Sequence, residues 1–373
     1  MFSQRTQWPV ERSPLAAAIA EAGPLFDLTA SNATQVGFAY GEEALAILGD
    51  KAGDYSPMST GLACAREAVA RYYIERGCPC DPAQVVLAAS TSELYAQLLA
   101  LLCDPGESVL VPQPSYPLFS YIADLASVKL IPYPLHYDGA WYPELPSTWP
   151  SAARALVVVA PNNPTGNFLK RAELDEMAER CPALIVDEVF ADFALEPQTP
   201  HLRSTVGQSA CLTFTLSGLS KVALLPQLKL AWCVVSGPPA HRDEALARLE
   251  LIGDTFLSAA APVQRALPAL LDLSQQMRQR VRTRLAMNLV ALDDMLEGTP
   301  LSRLKVEGGW SAIVRLPATR DDAQWALHFV NEAGVLVQPG YFYDLPFCAC
   351  VVSLLTPPSD FREGLARMIA AVG

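Results

Sequence analysis

The chain has 373 residues, of which 51% are hydrophobic, with 27 basic and 39 acidic side chains and a formal net charge of −12. That length suits two domains, and the apolar share argues for a large buried core and against a disordered chain. No Lys/Arg cluster is dense enough to track a phosphate backbone, which argues against nucleic acid. Apolar runs such as Ala155 to Ala160 are far shorter than the roughly 18 residues of a membrane span.

The N-terminus, Met1-Phe2-Ser3-Gln4-Arg5-Thr6-Gln7-Trp8-Pro9, has no apolar signal core, so a cytoplasmic chain is expected. Nine cysteines, among them Cys78-Pro79-Cys80 and Cys348-Ala349-Cys350, lack C-x-x-C spacing, and the four histidines (136, 201, 241, 328) are scattered. Reduced thiols and no metal are the expectation.

Residues 1–26 read as an N-terminal arm with a short helix around Pro14 to Ala22. From about residue 60 to 240, strand and helix patterns alternate. Cys64 to Glu75 reads as a helix and Val85 to Ala89 as a short apolar run. Ser90-Thr91-Ser92-Glu93 then reads as a cap opening a helix through Leu102. After the Asp104-Pro105-Gly106 turn comes a strand at Ser108 to Val111. Further strands are expected at Ser127 to Ile131, Leu156 to Ala160, Leu184 to Val186, Leu212 to Leu216 and Ala231 to Val235. Continuous apolar runs separated by helical stretches point to a mostly parallel, buried sheet. Gly237-Pro238-Pro239 ends the alternation. A long helical region follows from about His241 to Leu296, and Ser302 to Gly373 reads as a smaller α+β domain. The expected division is the arm at 1–26, a large domain at 27–255 and a small one at 256–373, with 27–50 joining the small one.

Three polar motifs interrupt this pattern: Pro161-Asn162-Asn163-Pro164-Thr165-Gly166, Asp187-Glu188-Val189-Phe190, and Thr215-Leu216-Ser217-Gly218-Leu219-Ser220-Lys221. Active sites of parallel sheets lie outside the carboxyl ends of the strands, and Asn163, Asp187 and Lys221 fall at or just after strand ends. An amide, a strand-end acid and an amine in that arrangement meet the needs of pyridoxal phosphate. The amine holds the aldehyde, the acid meets the ring nitrogen and the amide meets the ring oxygen.

With Asp27-Leu28-Thr29-Ala30-Ser31-Asn32, Tyr55, Gly61, Arg66 and Pro114-Ser115-Tyr116-Pro117, these motifs make nearly the whole chain resemble a known family. It is the pyridoxal-phosphate-dependent aminotransferases of class I and II, of aspartate-aminotransferase-like fold type I. The resemblance implies an α/β fold: a three-layer αβα large domain with a mostly parallel sheet, plus a smaller α+β domain. It implies a homodimer acting on an amino donor and a keto acid acceptor. Lys221 would form the Schiff base with the cofactor and shuttle the proton, and Asp187 would pair with the ring nitrogen. Asn163 would bond the ring's 3-oxygen. Ser90, Thr91 and Ser92 would hold the phosphate at a helix N-terminus, an arrangement compatible with ordinary capping. Ser217 and Ser220 join the cofactor-binding set. Tyr116 would stack on the ring or simply pack in the core. Tyr55 would reach the phosphate of the partner subunit, with Ser258 close by, or be an ordinary interface tyrosine.

Three departures stand out. Lys229 occupies the place of a phosphate-binding arginine and supplies charge without the bidentate fork. Phe190 stands where a tyrosine hydroxyl would contact the ring oxygen, and its loss would raise the Schiff base pKa. Val351 falls where an arginine would clamp the substrate α-carboxylate. Arg315 is the first candidate substitute, though a strand-edge ion pair also accounts for it, and Asn32 is a further candidate substrate contact. Alternatives are another pyridoxal-phosphate reaction on the same scaffold, decarboxylation or β-elimination, or a non-enzymatic sensor. The sensor would carry a DNA-binding domain ahead of the first motif, where only about 26 residues stand.

Overall fold

The computed structural model describes every residue except 1, 43–45, 50–52, 54, 56, 196–200 and 258, so Ser258 lies outside the described residues. The strands are β1 (Phe26–Asp27), β2 (Val85–Ala88), β3 (Ser108–Gln113), β4 (Lys129–Tyr137), β5 (Trp141–Pro143), β6 (Ala153–Val159) and β7 (Ala183–Asp187). They continue with β8 (Leu212–Gly218), β9 (Ala231–Ser236), β10 (Ser302–Arg303), β11 (Ser311–Arg315), β12 (Val335–Leu336), β13 (Gln338–Pro339) and β14 (Ala349–Ser353).

Eight strands form one sheet in the order β2-β9-β8-β7-β6-β3-β4-β5. β8, β7, β6, β3 and β4 run parallel. β9 is antiparallel to both neighbours and β5 antiparallel to β4. Side chains alternate across this sheet. Val109, Val111, Ala155, Val157 and Ile185 pack with Leu94, Leu98, Ala245 and Leu249 on one side. Leu110, Leu156, Val158, Leu184 and Val186 pack with Leu174, Met177 and Ala178 on the other. Both faces are therefore dry, which is why the strands read as unbroken apolar runs. Each fully buried aliphatic contributes roughly 1.5–3 kcal/mol. The result is a helix–sheet–helix sandwich, the expected α/β architecture.

The helices begin where local chemistry dictates. Ser90 caps the helix Thr91–Leu102 by accepting from the Glu93 N–H (3.1 Å), while the Glu93 carboxylate accepts from the Ala89 N–H (3.1 Å). The expected strand at Ser127 to Ile131 starts late. Ser127 closes the preceding helix, Leu118–Ala126, in left-handed backbone (φ 59), and β4 begins only at Lys129. The expected helical region 241–296 is two helices, Pro239–Phe256 and Ala261–Leu296, separated at Leu257, whose φ is 67.

A second, antiparallel sheet has the order β10-β11-β14-β13. One of its faces, through Ala312, Val314, Cys350 and Val352, joins a core with Trp325, Phe329, Phe361 and Leu365. β1 pairs in parallel with β12, which ties the residues after the arm to the C-terminal third of the chain. Among the described residues no helix is long and apolar enough to cross a membrane, and no cluster of His, Cys, Asp and Glu could hold a metal.

Candidate active site

Strand register assembles the site. Val159 lies opposite Asp187, and Asp187 opposite Leu216. Asn163 follows the first of these strands and Lys221 the last, so residues 58 positions apart in sequence arrive at one edge of the sheet. On the next strands Gly218 lies opposite Ala231 and Ala231 opposite Ala88. That brings Ser217, Ser220, Lys229 and the helix opening at Ser90 to the same end. Gly218 is needed there, because a Cβ would lie 3.0 Å from both the Cα and the Cβ of Ala231.

Asp187 is buried, and burial pushes its carboxyl up to about 6. The Val189 N–H donates to Oδ1 (3.0 Å), the Tyr95 hydroxyl donates to Oδ2 (3.2 Å), and the Lys221 charge opposes the shift as well. Lys221 moves the other way. Burial lowers its amine to about 8, and Asp187 offsets part of that. Its Nζ lies 4.6 Å from the centre of the Trp310 ring and 5.4 Å from that of Phe190. The two rings meet edge to face at 5.3 Å, forming an aromatic wall. The Trp310 Nε1 is buried without a hydrogen-bond partner.

The loop after Lys221 is held from outside. Tyr40 donates to the Ala223 carbonyl (2.8 Å) and Arg278 to the Val222 carbonyl (3.0 Å). Arg278 belongs to a buried charge cluster around Asp192, which pairs with Arg76, with Arg278 at 3.6 Å and Arg282 at 3.9 Å, and accepts from the Tyr72 hydroxyl (3.1 Å). Glu188, beside Asp187, is structural. It accepts from Ser204 Oγ (2.6 Å) and from the N–H (2.7 Å) and hydroxyl (3.0 Å) of Thr205, and burial lifts its carboxyl to about 7.

The remaining candidates fall into place unequally. Ser217 Oγ is buried and unpartnered, an orphan donor next to the helix N-terminus. Ser90 Oγ is engaged as a cap, leaving Thr91 and Ser92 half-buried beside it. Asn163 is half-buried, while its neighbour Asn162 is locked by Ser115, Pro114 and Thr165. Lys229 is exposed in left-handed backbone (φ 49). Tyr116 is half exposed, and Tyr55 is 86% exposed on this chain.

Asn32 is largely committed elsewhere. Its Oδ1 accepts from the N–H (3.1 Å) and hydroxyl (2.7 Å) of Thr34. Arg315 is not gathered into the site. It lies four residues beyond Ser311 on β11, about 13 Å at strand rise, at the end away from Trp310. It is exposed there, with its guanidinium 4.5 Å over the Phe347 ring. Extended backbone holds the two ends apart, which corrects its expected role as substitute clamp. Val351 is 1% exposed in an apolar cluster.

Tyr95 and Trp310 were not foreseen. Each is an aromatic on an otherwise apolar face, a pattern that sequence alone does not distinguish from core packing. Only the register of distant strands brings them to Asp187 and Lys221.

Comparison with known proteins follows the same lines. The family described as aminotransferase class I and II matches residues 40–366. A glutamate-pyruvate aminotransferase of Escherichia coli is 27% identical over 304 residues, 78% of this chain and 75% of that protein. An alanine aminotransferase of Mycobacterium tuberculosis is 29% identical over 309 residues, 78% of this chain and 71% of that one. Among solved structures, an aminotransferase from Escherichia coli superposes with TM-score 0.86 at 24% identity, covering 99% of this chain and 97% of that one. An alanine aminotransferase from Pyrococcus furiosus superposes with TM-score 0.85 at 20% identity, covering 99% of each.

Proposed function

The chain belongs to the class I and II aminotransferases, and we propose that it works with pyridoxal phosphate held between Lys221, Asp187 and the cradle at the end of β8. The observation that carries this reading is the buried Lys221–Asp187 pair, an amine lowered to about 8 and an acid raised to about 6 on one sheet edge. The residues fit the cofactor. The orphaned Ser217 Oγ, with Thr91, Ser92, Ser220 and Lys229 beside it, suits a phosphate at a helix N-terminus. When bound, pyridoxal phosphate supplies an aldehyde that takes up the amino group and a ring that spreads the charge left at the substrate carbon.

The chain's own residues then have distinct tasks. Lys221 holds the aldehyde. Released by the substrate amine and neutral in a large fraction near pH 8, it takes the proton from the substrate carbon and returns it to the cofactor carbon. Asp187, ionised above about 6, keeps a proton on the ring nitrogen. Tyr95 and the Val189 N–H keep that carboxylate aimed. Asn163 donates to the ring oxygen without help from a hydroxyl at Phe190. Tyr116 covers one ring face, and the Trp310–Phe190 wall limits water around the amine.

The division into an arm (1–26), a cofactor-binding part (27–255, with 27–50 joining the smaller one) and a smaller part (256–373) is proposed on the same footing. So are the homodimer, in which the exposed Tyr55 reaches the partner's phosphate, and the cytoplasmic location. Alanine or glutamate as donor and pyruvate as acceptor are the first to try, from the relatives' names. The test is a half-reaction. An amino donor should convert the bound aldehyde absorbance to that of the amine form, and a keto acid should reverse it. Borohydride reduction should place the pyridoxyl group on Lys221. Release of carbon dioxide or ammonia without the amine form would favour a decarboxylase or lyase instead.

A further inference from the structure

Resting on the aminotransferase reading, we propose that this site selects amino donors whose amine-bearing carbon carries a neutral carboxamide in place of a free carboxylate, and that Gln338 and Tyr343 select it. The argument starts at Val351. On β14 it lies opposite Ile313 of β11 and opposite Gln338 of β13, so the three side chains share one face of the small sheet. Val351 donates nothing, and Ile313 and Leu304 beside it are equally apolar. Gln338 is the polar group on that face. Tyr343, 4% exposed, gives its hydroxyl hydrogen to Gln338 Oε1. That bond uses the amide oxygen and leaves the Nε2 hydrogens, which bond to nothing else among the described residues, to address an acceptor.

The pair is attached to the site. The Ser115 N–H donates to the Tyr343 carbonyl (3.3 Å), and the Ser115 hydroxyl donates to Asn162 Oδ1 (3.0 Å). Tyr116, the candidate ring cover, follows Ser115, and Asn163 follows Asn162. Gln338 and Tyr343 thus border the space between the loop that carries Tyr116 and the strand that carries Val351.

Charge decides what fits there. Asp187 is the charged group that acts on Lys221, and no arginine or lysine among the described residues does so. Arg315 is engaged with Phe347 at the far end of β11. A carboxylate entering beside Val351 would lose water and meet neutral donors only, which is costly. A carboxamide meets its complements. Its carbonyl oxygen accepts from Gln338 Nε2, and its N–H2 donates to the Tyr343 oxygen. The transfer itself balances as in any transamination. The donor amide, R–CH(NH2)–CONH2, becomes R–CO–CONH2, and the acceptor carbonyl gains the amino group, two electrons and the hydrogen.

The test uses the enzyme loaded with pyridoxal phosphate and matched pairs of L-amino acids and their amides: alanine, methionine and phenylalanine. The half-reaction is followed for wild type, Gln338→Leu, Tyr343→Phe and Val351→Arg. Calorimetry of unreactive propionamide against propionate provides a binding readout independent of turnover. The expected result is at least about a tenfold preference for the amide of the best pair, and tighter binding of propionamide. Gln338→Leu should lose about tenfold of that preference, Tyr343→Phe part of it, and Val351→Arg should turn it toward the acid. If wild type prefers the acid and Gln338→Leu leaves the ratio unchanged, the proposal is overturned. Equal binding of propionate and propionamide also overturns it. Should simple amines outreact both members of every pair, the pocket recognises no carbonyl and the proposal falls. In each of these outcomes the half-reaction still proceeds, so the aminotransferase reading stands. Only the absence of any half-reaction, with every acid, amide and amine, removes both.

Discussion

Replacing Asp187 with asparagine should make the cofactor-free protein more stable and the loaded enzyme nearly inactive. The carboxyl is raised from 3.8 to about 6, burial being the largest cause. Each unit corresponds to about 1.4 kcal/mol, so ionised Asp187 costs the native state about 3 kcal/mol. The sign follows from the direction of the shift. A carboxyl whose folded pKa is raised helps stability fully below 3.8, and that help is lost as pH rises through about 6. Asparagine keeps the oxygen that accepts from Val189 and Tyr95 but carries no charge. It also forfeits the attraction of Lys221, so the expected net gain at pH 7 is about 1–3 kcal/mol. Urea unfolding of the cofactor-free wild type and variant between pH 5 and 8 measures it, and the difference should widen from pH 5 to 7 before levelling off. Turnover of the loaded variant should fall steeply, because an amide cannot keep the ring nitrogen protonated. A variant less stable than wild type at pH 7, or a difference flat with pH, would refute the burial argument. Turnover near the wild-type rate would remove Asp187 from the ring nitrogen.

Asp192→Ala should destabilise the protein by about 3–5 kcal/mol in the same urea assay, because it strands Arg76, Arg278 and Arg282 around a buried void. Gly166→Ala should cost at least about 1–3 kcal/mol. Its φ is +71, and a Cβ would lie 2.3 Å from Val306 Cγ2 and 2.7 Å from the Gly308 carbonyl. An unchanged urea midpoint would show that the 306–308 segment gives way freely. Mixing Lys221→Ala with a Tyr55→Ala variant, each nearly inactive alone, should restore about a quarter of wild-type activity per subunit if heterodimers form at random with one intact site. A fully active monomer in sedimentation would exclude the shared site.

Much of the architecture is legible in the chain because strands buried on both faces must be apolar throughout. Leu184 to Val186 and Ala231 to Val235 could hardly be anything else. Ser90 and Glu93 announce a helix start by short-range chemistry, and Asn163, Asp187 and Lys221 each stand where an apolar run ends. These are local signals: they depend on neighbours within a few residues, and the sequence states them directly. The class I and II aminotransferase fold follows from their order.

Tertiary structure decided what depends on register between distant strands. Nothing near Tyr95 in sequence says that its hydroxyl meets Asp187, and nothing near Trp310 says that its ring faces Lys221. Arg315 and Val351 look equally eligible for a substrate pocket until β11 is laid out in extended form, which carries Arg315 away from Trp310. Gln338 and Tyr343 acquire meaning only when β13 pairs with β14 and sets the glutamine beside Val351. A hydrogen-bonded ladder converts one-dimensional order into proximity through its register, and a shift of one residue would turn Gln338 and Val351 to the opposite face. The sequence by itself thus determined the sheet, its caps and the strand ends that carry the chemistry. The partners at those ends are contacts between elements far apart in the chain, and only the packed structure could choose them.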